Sequence, residues 1–91
     1  MSNSDALTSG TDRSGLTVVG SKTIMASNDT RNGGAFQNIS DTAMFVNQTG
    51  ATATALNGFF VAAGTGINLV TDQAVSVYCT VAGKAYVALE F

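Results

Sequence analysis

From Ala74 to Phe91 the chain repeats with a period of two, and the repeat runs on both sides of Ala82-Gly83. Val75, Val77, Cys79 and Val81 fall on one face, and Ser76, Tyr78 and Thr80 on the other. After the glycine, Ala85, Val87, Leu89 and Phe91 share a face opposite Lys84, Tyr86, Ala88 and Glu90. A helix would smear such a pattern over its surface, whereas an extended chain sends successive side chains to opposite sides. The pattern predicts strands over Ala74–Val81 and Lys84–Phe91, joined as a hairpin by the Ala82-Gly83 connection. It also places the residues up to Phe91 within the sheet.

The same reading extends back to Leu16. Short runs of Val, Ile, Phe, Thr and Tyr alternate with clusters of Gly, Asn, Asp and Ser, and there is no Pro. A second hairpin is expected from Ala35–Ile39 and Ala43–Asn47 across Ser40-Asp41-Thr42, whose side chains bond back to nearby backbone. Further strands are predicted over Leu16–Val19, Lys22–Ala26, Gly58–Ala62 and Ile67–Val70, with a tight turn at Gly64-Thr65-Gly66. The Ala/Thr run between Gly50 and Leu56 reads as loop or edge. No stretch has helical amphipathic spacing. The result is an all-β chain of about seven to eight short strands, a small β-sandwich or Greek-key barrel. Residues 16–91 form the domain. Residues 1–15, nearly all polar with Leu7 the lone large apolar residue, are expected to be a flexible arm, or an arm ordered along a neighbouring subunit.

With 91 residues the core is modest, and a domain this small often relies on disulfides, metals or oligomerisation. One Cys and no His remove an internal disulfide and the common zinc patterns, so no cofactor is expected and oligomerisation remains. Only 11% of residues are charged, against about 25% in an ordinary domain. Uncharged polar groups cost less to desolvate than charges, which suits a surface that meets other protein. Sheet edges, which invite pairing with other chains, give a second reason to expect assembly. The cations Arg13, Lys22, Arg31 and Lys84 are scattered and form no nucleic-acid stripe. The polar first ten residues predict no signal peptide, and no apolar run reaches the roughly 20 residues of a membrane span.

The chemistry-bearing residues point away from an enzyme. There is no His to act as a base, and Cys79, on the presumed core face, reads as a small buried hydrophobe. Of the carboxylates Asp5, Asp12, Asp29, Asp41, Asp72 and Glu90, five sit in the arm or in turns. Asn32-Gly33-Gly34 and Gly64-Thr65-Gly66 lack the ending of a phosphate loop and read as turns. Asn28-Asp29-Thr30, Asn38-Ile39-Ser40 and Asn47-Gln48-Thr49 match a glycosylation triplet but read as turn chemistry. Arg31 either spans its own turn or reaches a partner subunit. Tyr78 and Tyr86, expected on the outward faces of one hairpin, are the only candidate sugar platform and read more simply as residues packed on a sheet.

Ala26-Ser27-Asn28-Asp29-Thr30-Arg31, then Phe36-Gln37-Asn38-Ile39-Ser40-Asp41-Thr42, then Phe45-Val46-Asn47, together with the rhythm of Gly58 to Val77, resemble a group of small tailed-phage virion proteins. The resemblance covers roughly residues 24–90 and rests on turn motifs; the Pro-containing turn of many such proteins is missing here. It implies a β-sandwich virion protein: a capsid decoration or cement protein, or alternatively a neck, tail or fibre-base component. A carbohydrate-binding module is the alternative of a different class. The leading expectation is a non-enzymatic decoration protein, with a trimer favoured, assembled in the host cytoplasm into the virion. It would pack across major capsid protein subunits and touch neither nucleic acid nor membrane. Leu7, Arg13, Arg31, Phe36, Met44 and Phe45 are its expected partner contacts.

Overall fold

The structure is a computed structural model that describes residues 10–91. Among the described residues nine strands form two antiparallel sheets: β1 (Thr11–Asp12), β2 (Gly15–Leu16), β3 (Gly20–Met25), β4 (Gly34–Asn38), β5 (Met44–Asn47), β6 (Phe59–Val61), β7 (Gly66–Leu69), β8 (Val75–Cys79) and β9 (Ala85–Glu90). One sheet runs β1-β9-β4-β7, with β2 continuing β1 along the same edge of β9; the other runs β3-β8-β5-β6. The all-β expectation holds, and the described residues contain no helix.

Strand pairing departs from the sequence reading. β8 and β9 do not form a hairpin. β8 pairs with β3 and β5, whereas β9 pairs with β4, β1 and β2 in the opposite sheet. β4 and β5 likewise lie in different sheets, as do β6 and β7, and β2 and β3. Each of these four short links therefore crosses the sandwich, joining strands that hold the same position in the two sheets. The antiparallel pairings place all four crossings at one end. The links 26–33, 48–58 and 70–74 lie at the other end, and only 48–58 joins neighbours in one sheet. Two four-position sheets interleaved in this order are the double Greek key, or jelly roll.

The crossings are held by hydrogen bonds between the links themselves. Thr17 clamps the 80–84 link: its hydroxyl donates to Val81 O at 2.7 Å and accepts from Lys84 N at 3.0 Å, and its carbonyl accepts from Gly83 N at 2.8 Å. Gly83 has a φ of 79°, which a side chain would oppose. Lys84 Nζ reaches Asp41 at 2.8 Å, tying this crossing to the β4–β5 one.

The core lies between the sheets. Val75, Val77, Cys79, Met44, Val46 and Val61 enter from one side. Phe36, Leu69, Tyr86 and Ala88 enter from the other, with the Phe36 and Tyr86 rings stacked at 5.4 Å. On β9 the inward set is thus Tyr86, Ala88 and Glu90. Ala85, Val87 and Leu89, expected to share a core face, point outward, because β9 lies over β8 rather than beside it. The described part of the expected arm also belongs to the sheet: Thr11 and Asp12 pair with Glu90 and Leu89, and Gly15 and Leu16 with Tyr86 and Ala85. Among the described residues the sheet therefore starts at Thr11, inside the span read as arm.

Candidate interaction surface

Two of the six expected contact residues are core. Phe36 is 1% exposed and Met44 0%, so neither can meet a partner without unfolding the sandwich. Arg31 is also buried, with no exposed side-chain surface. Its Nε donates to Glu90 at 2.7 Å, Nη1 to Thr71 O at 3.0 Å and Gln73 O at 2.8 Å, and Nη2 to Ala26 O. A planar fork with this many donors can join several chain segments at once, and here it binds the 26–33 link, the 70–74 link and β9. The intrachain reading of Arg31 is the one the structure bears out. Arg13 donates to the other Glu90 oxygen at 2.6 Å while keeping 45% of its side chain exposed. Leu7 lies outside the described residues.

Glu90 thus serves two guanidiniums. Burial is the largest single influence on it and favours the neutral acid. Hydrogen bonds from Arg31 and Arg13, and their charges, outweigh burial and hold the carboxyl below its ordinary value of 4.5. Asp41 is likewise held below its ordinary range, first by the hydrogen bond from Lys84 and then by Thr42.

The three Asn-x-Ser/Thr triplets make one motif three times. The Oδ1 of Asn28, Asn38 and Asn47 accepts both the backbone N–H and the hydroxyl of Thr30, Ser40 and Thr49, respectively. Asn38, 0% exposed, also donates to Thr42 O at 2.7 Å and Val61 O at 3.0 Å. Among the described residues no buried side-chain nitrogen or oxygen lacks a partner, and no group of three or more His, Cys, Asp or Glu could hold a metal ion. Tyr78 and Tyr86 are not brought together: Tyr86 is core, and Tyr78 lies on the outer face of the other sheet.

Sheet edges give less access than the sequence suggests. β3 is broken by a bulge between Thr23 and Met25, and Lys22 points inward from it, donating to Leu16 O at 2.9 Å with its Nζ 5.4 Å from the Tyr86 ring centre. β7 is covered by Gln48, whose amide accepts from Val70 N at 2.9 Å and donates to Asn68 O at 3.1 Å, as a strand would. The β1–β2 edge is interrupted at Arg13-Ser14, and β6 has three residues. Short, bulged or inwardly charged edges resist strand addition.

Open apolar surface lies instead on the outer face of the β3-β8-β5-β6 sheet. Phe45 pairs with Tyr78 on one side and Phe60 on the other, and the rings follow one another at 6.1 and 5.5 Å. The 48–58 loop covers the rest of this face: Ser76 Oγ accepts from Ala53 N and donates to Ala51 O, and Asn47 donates to Asn57 O. Round the β6 edge, on the side where Phe59 pairs with the core residue Val46, a separate groove of about 310 Å³ is lined by Val46, Leu56, Gly58 and Phe59 among others. Leu56 is 98% exposed, Phe59 65% and Phe60 63%. Of the expected contacts, only Phe45 belongs to this surface. The sequence does carry a signal for it: no charged residue occurs from Thr42 to Thr71.

No known protein family matches the chain, and no curated protein or solved structure is significantly similar to it.

Proposed function

We propose that the chain is a structural subunit of an assembled particle, of the capsid decoration type, acting mechanically rather than chemically. The observation that carries this reading is the uncharged apolar surface around Phe45, Phe60 and Leu56, set on a sandwich whose edges are guarded. Exposed apolar patches of this kind mark sites of protein contact. Many copies, each burying such surface against shell subunits and one another, would stiffen a shell through the sum of weak contacts. The turn motifs that resemble tailed-phage virion proteins supply the virion context, and a trimer is the oligomer proposed with it. Jelly rolls are recurrent in viral shells, though a fold alone assigns no function.

Quantitative mass spectrometry of purified particles tests the reading. A copy number of the same order as the major shell protein is expected. A handful of copies would move the protein to the neck or tail, and its absence from particles would overturn the proposal.

A further inference from the structure

We infer that Asn57 is a site of spontaneous chemical modification. The amide nitrogen of Gly58 gives up its proton and bonds to the side-chain carbonyl carbon of Asn57. The bond from that carbon to Nδ2 breaks, and ammonia leaves. Water then opens the resulting succinimide to aspartate or isoaspartate. No oxidant, metal or partner is needed, so the change does not depend on whether the chain assembles.

Ring closure is easiest where glycine follows asparagine, because no side chain hinders the approach of the nitrogen. The chain has two such pairs, Asn32-Gly33 and Asn57-Gly58, and the fold treats them differently. The attacking N–H must leave its hydrogen bond and meet solvent base. Gly33 is buried, and its N–H donates to Phe91 O at 3.0 Å beside that of Asn32, which donates to the same oxygen at 2.6 Å. The pair runs straight into β4, and Gly34 lies against the Leu89 carbonyl, so freeing the nitrogen means lifting β4 from β9. Gly58 is half-buried and follows an exposed turn. Its N–H donates to Thr54 O across a longer 3.2 Å, and opening that bond disturbs one loop rather than a sheet.

The Asn57 carboxamide is also polarised for attack. Its Oδ1 accepts from Thr54 N at 2.7 Å and Thr54 Oγ1 at 3.2 Å. Donors in this position draw electron density from the carbonyl carbon and favour the negative charge that develops on the oxygen. Packing fixes the neighbour that makes Asn57 reactive: a Cβ at Gly58 would lie 2.7 Å from Phe45 Cβ and 3.0 Å from Val46 N. Either product replaces an amide with a carboxylate. The Nδ2 donor to Thr52 O is lost, and a charge enters a stretch, Thr42 to Thr71, that has none. Isoaspartate also lengthens the backbone beside the Asn57 carbonyl that Asn47 holds at 2.9 Å. The 48–58 loop is therefore loosened irreversibly as the protein ages.

Peptide mapping by mass spectrometry tests this, on the full chain incubated in mildly alkaline buffer and sampled over time. In the folded chain Asn57 should convert about tenfold faster than Asn32 or more. In denaturant the two should convert at similar rates, since the fold no longer separates them. Equal or faster conversion of Asn32 in the folded chain would overturn the inference. So would an unchanged Asn57 in the folded chain once both sites of the denatured chain have reacted. Asn57→Asp, which fixes one product, should keep the sandwich by circular dichroism and raise hydrogen exchange of the loop amides from 51 to 57 by about tenfold. Unaltered exchange there would overturn the loosening of the loop.

Discussion

Arg31 shows how much one side chain can hold. Its guanidinium is buried, faces Glu90, and satisfies carbonyls of Ala26, Thr71 and Gln73. Arg31→Met would leave Glu90 buried with only the half-exposed Arg13 and strip three carbonyls of their donor. Removing one partner of a buried pair costs about 3–5 kcal/mol, a large share of the ~5–15 kcal/mol that holds a domain folded. Urea denaturation should show a midpoint lowered accordingly, and Arg31→Lys should not restore it, because an ammonium cannot reach all these acceptors at once. The same site sets a pH dependence. Folding lowers the pKa of Glu90, so its stabilisation is complete above the ordinary carboxylate range and is lost as pH falls below 4.5 through the folded value. Thermal unfolding followed from pH 7 downward should show a falling melting temperature in that window, and Glu90→Gln should flatten the fall. The sequence leaves Arg31 divided between its own turn and a partner, because its carboxylate partner is 59 residues away and nothing local announces it.

At the scale of strands, the sequence locates β2 to β9 to within a few residues, misses β1 inside the expected arm, and misassigns what consecutive strands pair with. The predicted Lys22–Ala26, Gly58–Ala62 and Ile67–Val70 appear as Gly20–Met25, Phe59–Val61 and Gly66–Leu69. Leu16–Val19 shortens to Gly15–Leu16, and Thr17 becomes the clamp of a crossing. Both expected hairpins are crossings between sheets. Glycines matter here where backbones approach. A Cβ at Gly34 would run into the Leu89 carbonyl oxygen of the adjacent β9, so Gly34→Ala must push β4 and β9 away from each other. Overpacking of this kind costs about 1–3 kcal/mol, which chemical denaturation would read as a lowered midpoint with the sheet content retained.

For the molecule as a whole, the interleaved order means that nearly every strand pairs with partners distant in sequence. The N-terminal residues are included: β1 and β2 close the edge of β9, and Arg13 bonds Glu90. Deleting residues 2–15 should therefore lower the melting temperature of the isolated domain. An arm that merely trails from the fold would leave it unchanged, and differential scanning calorimetry separates the two. The open apolar face belongs to the same scale, since it is composed of β5, β6 and β8, with the loop between β5 and β6 shaping how much of it stays open.

Alternation, glycine placement and Asn-Ser-Thr spacing act through the local backbone, and they alone determined an all-β chain, the strand positions from β2 onward and its turn chemistry. Whether two consecutive strands lie side by side or across the core is not a local property. A short link such as 80–84 can close a hairpin or cross a sandwich, and the choice is made by the other strands available to pair. Here β3 and β5 take both sides of β8, and β4 with the N-terminal strands takes both sides of β9. That competition, decided only in the folded molecule, turned Tyr86 inward, Val87 outward and Arg31 into the interior, and it left Phe45, Phe60 and Leu56 to face whatever the protein meets.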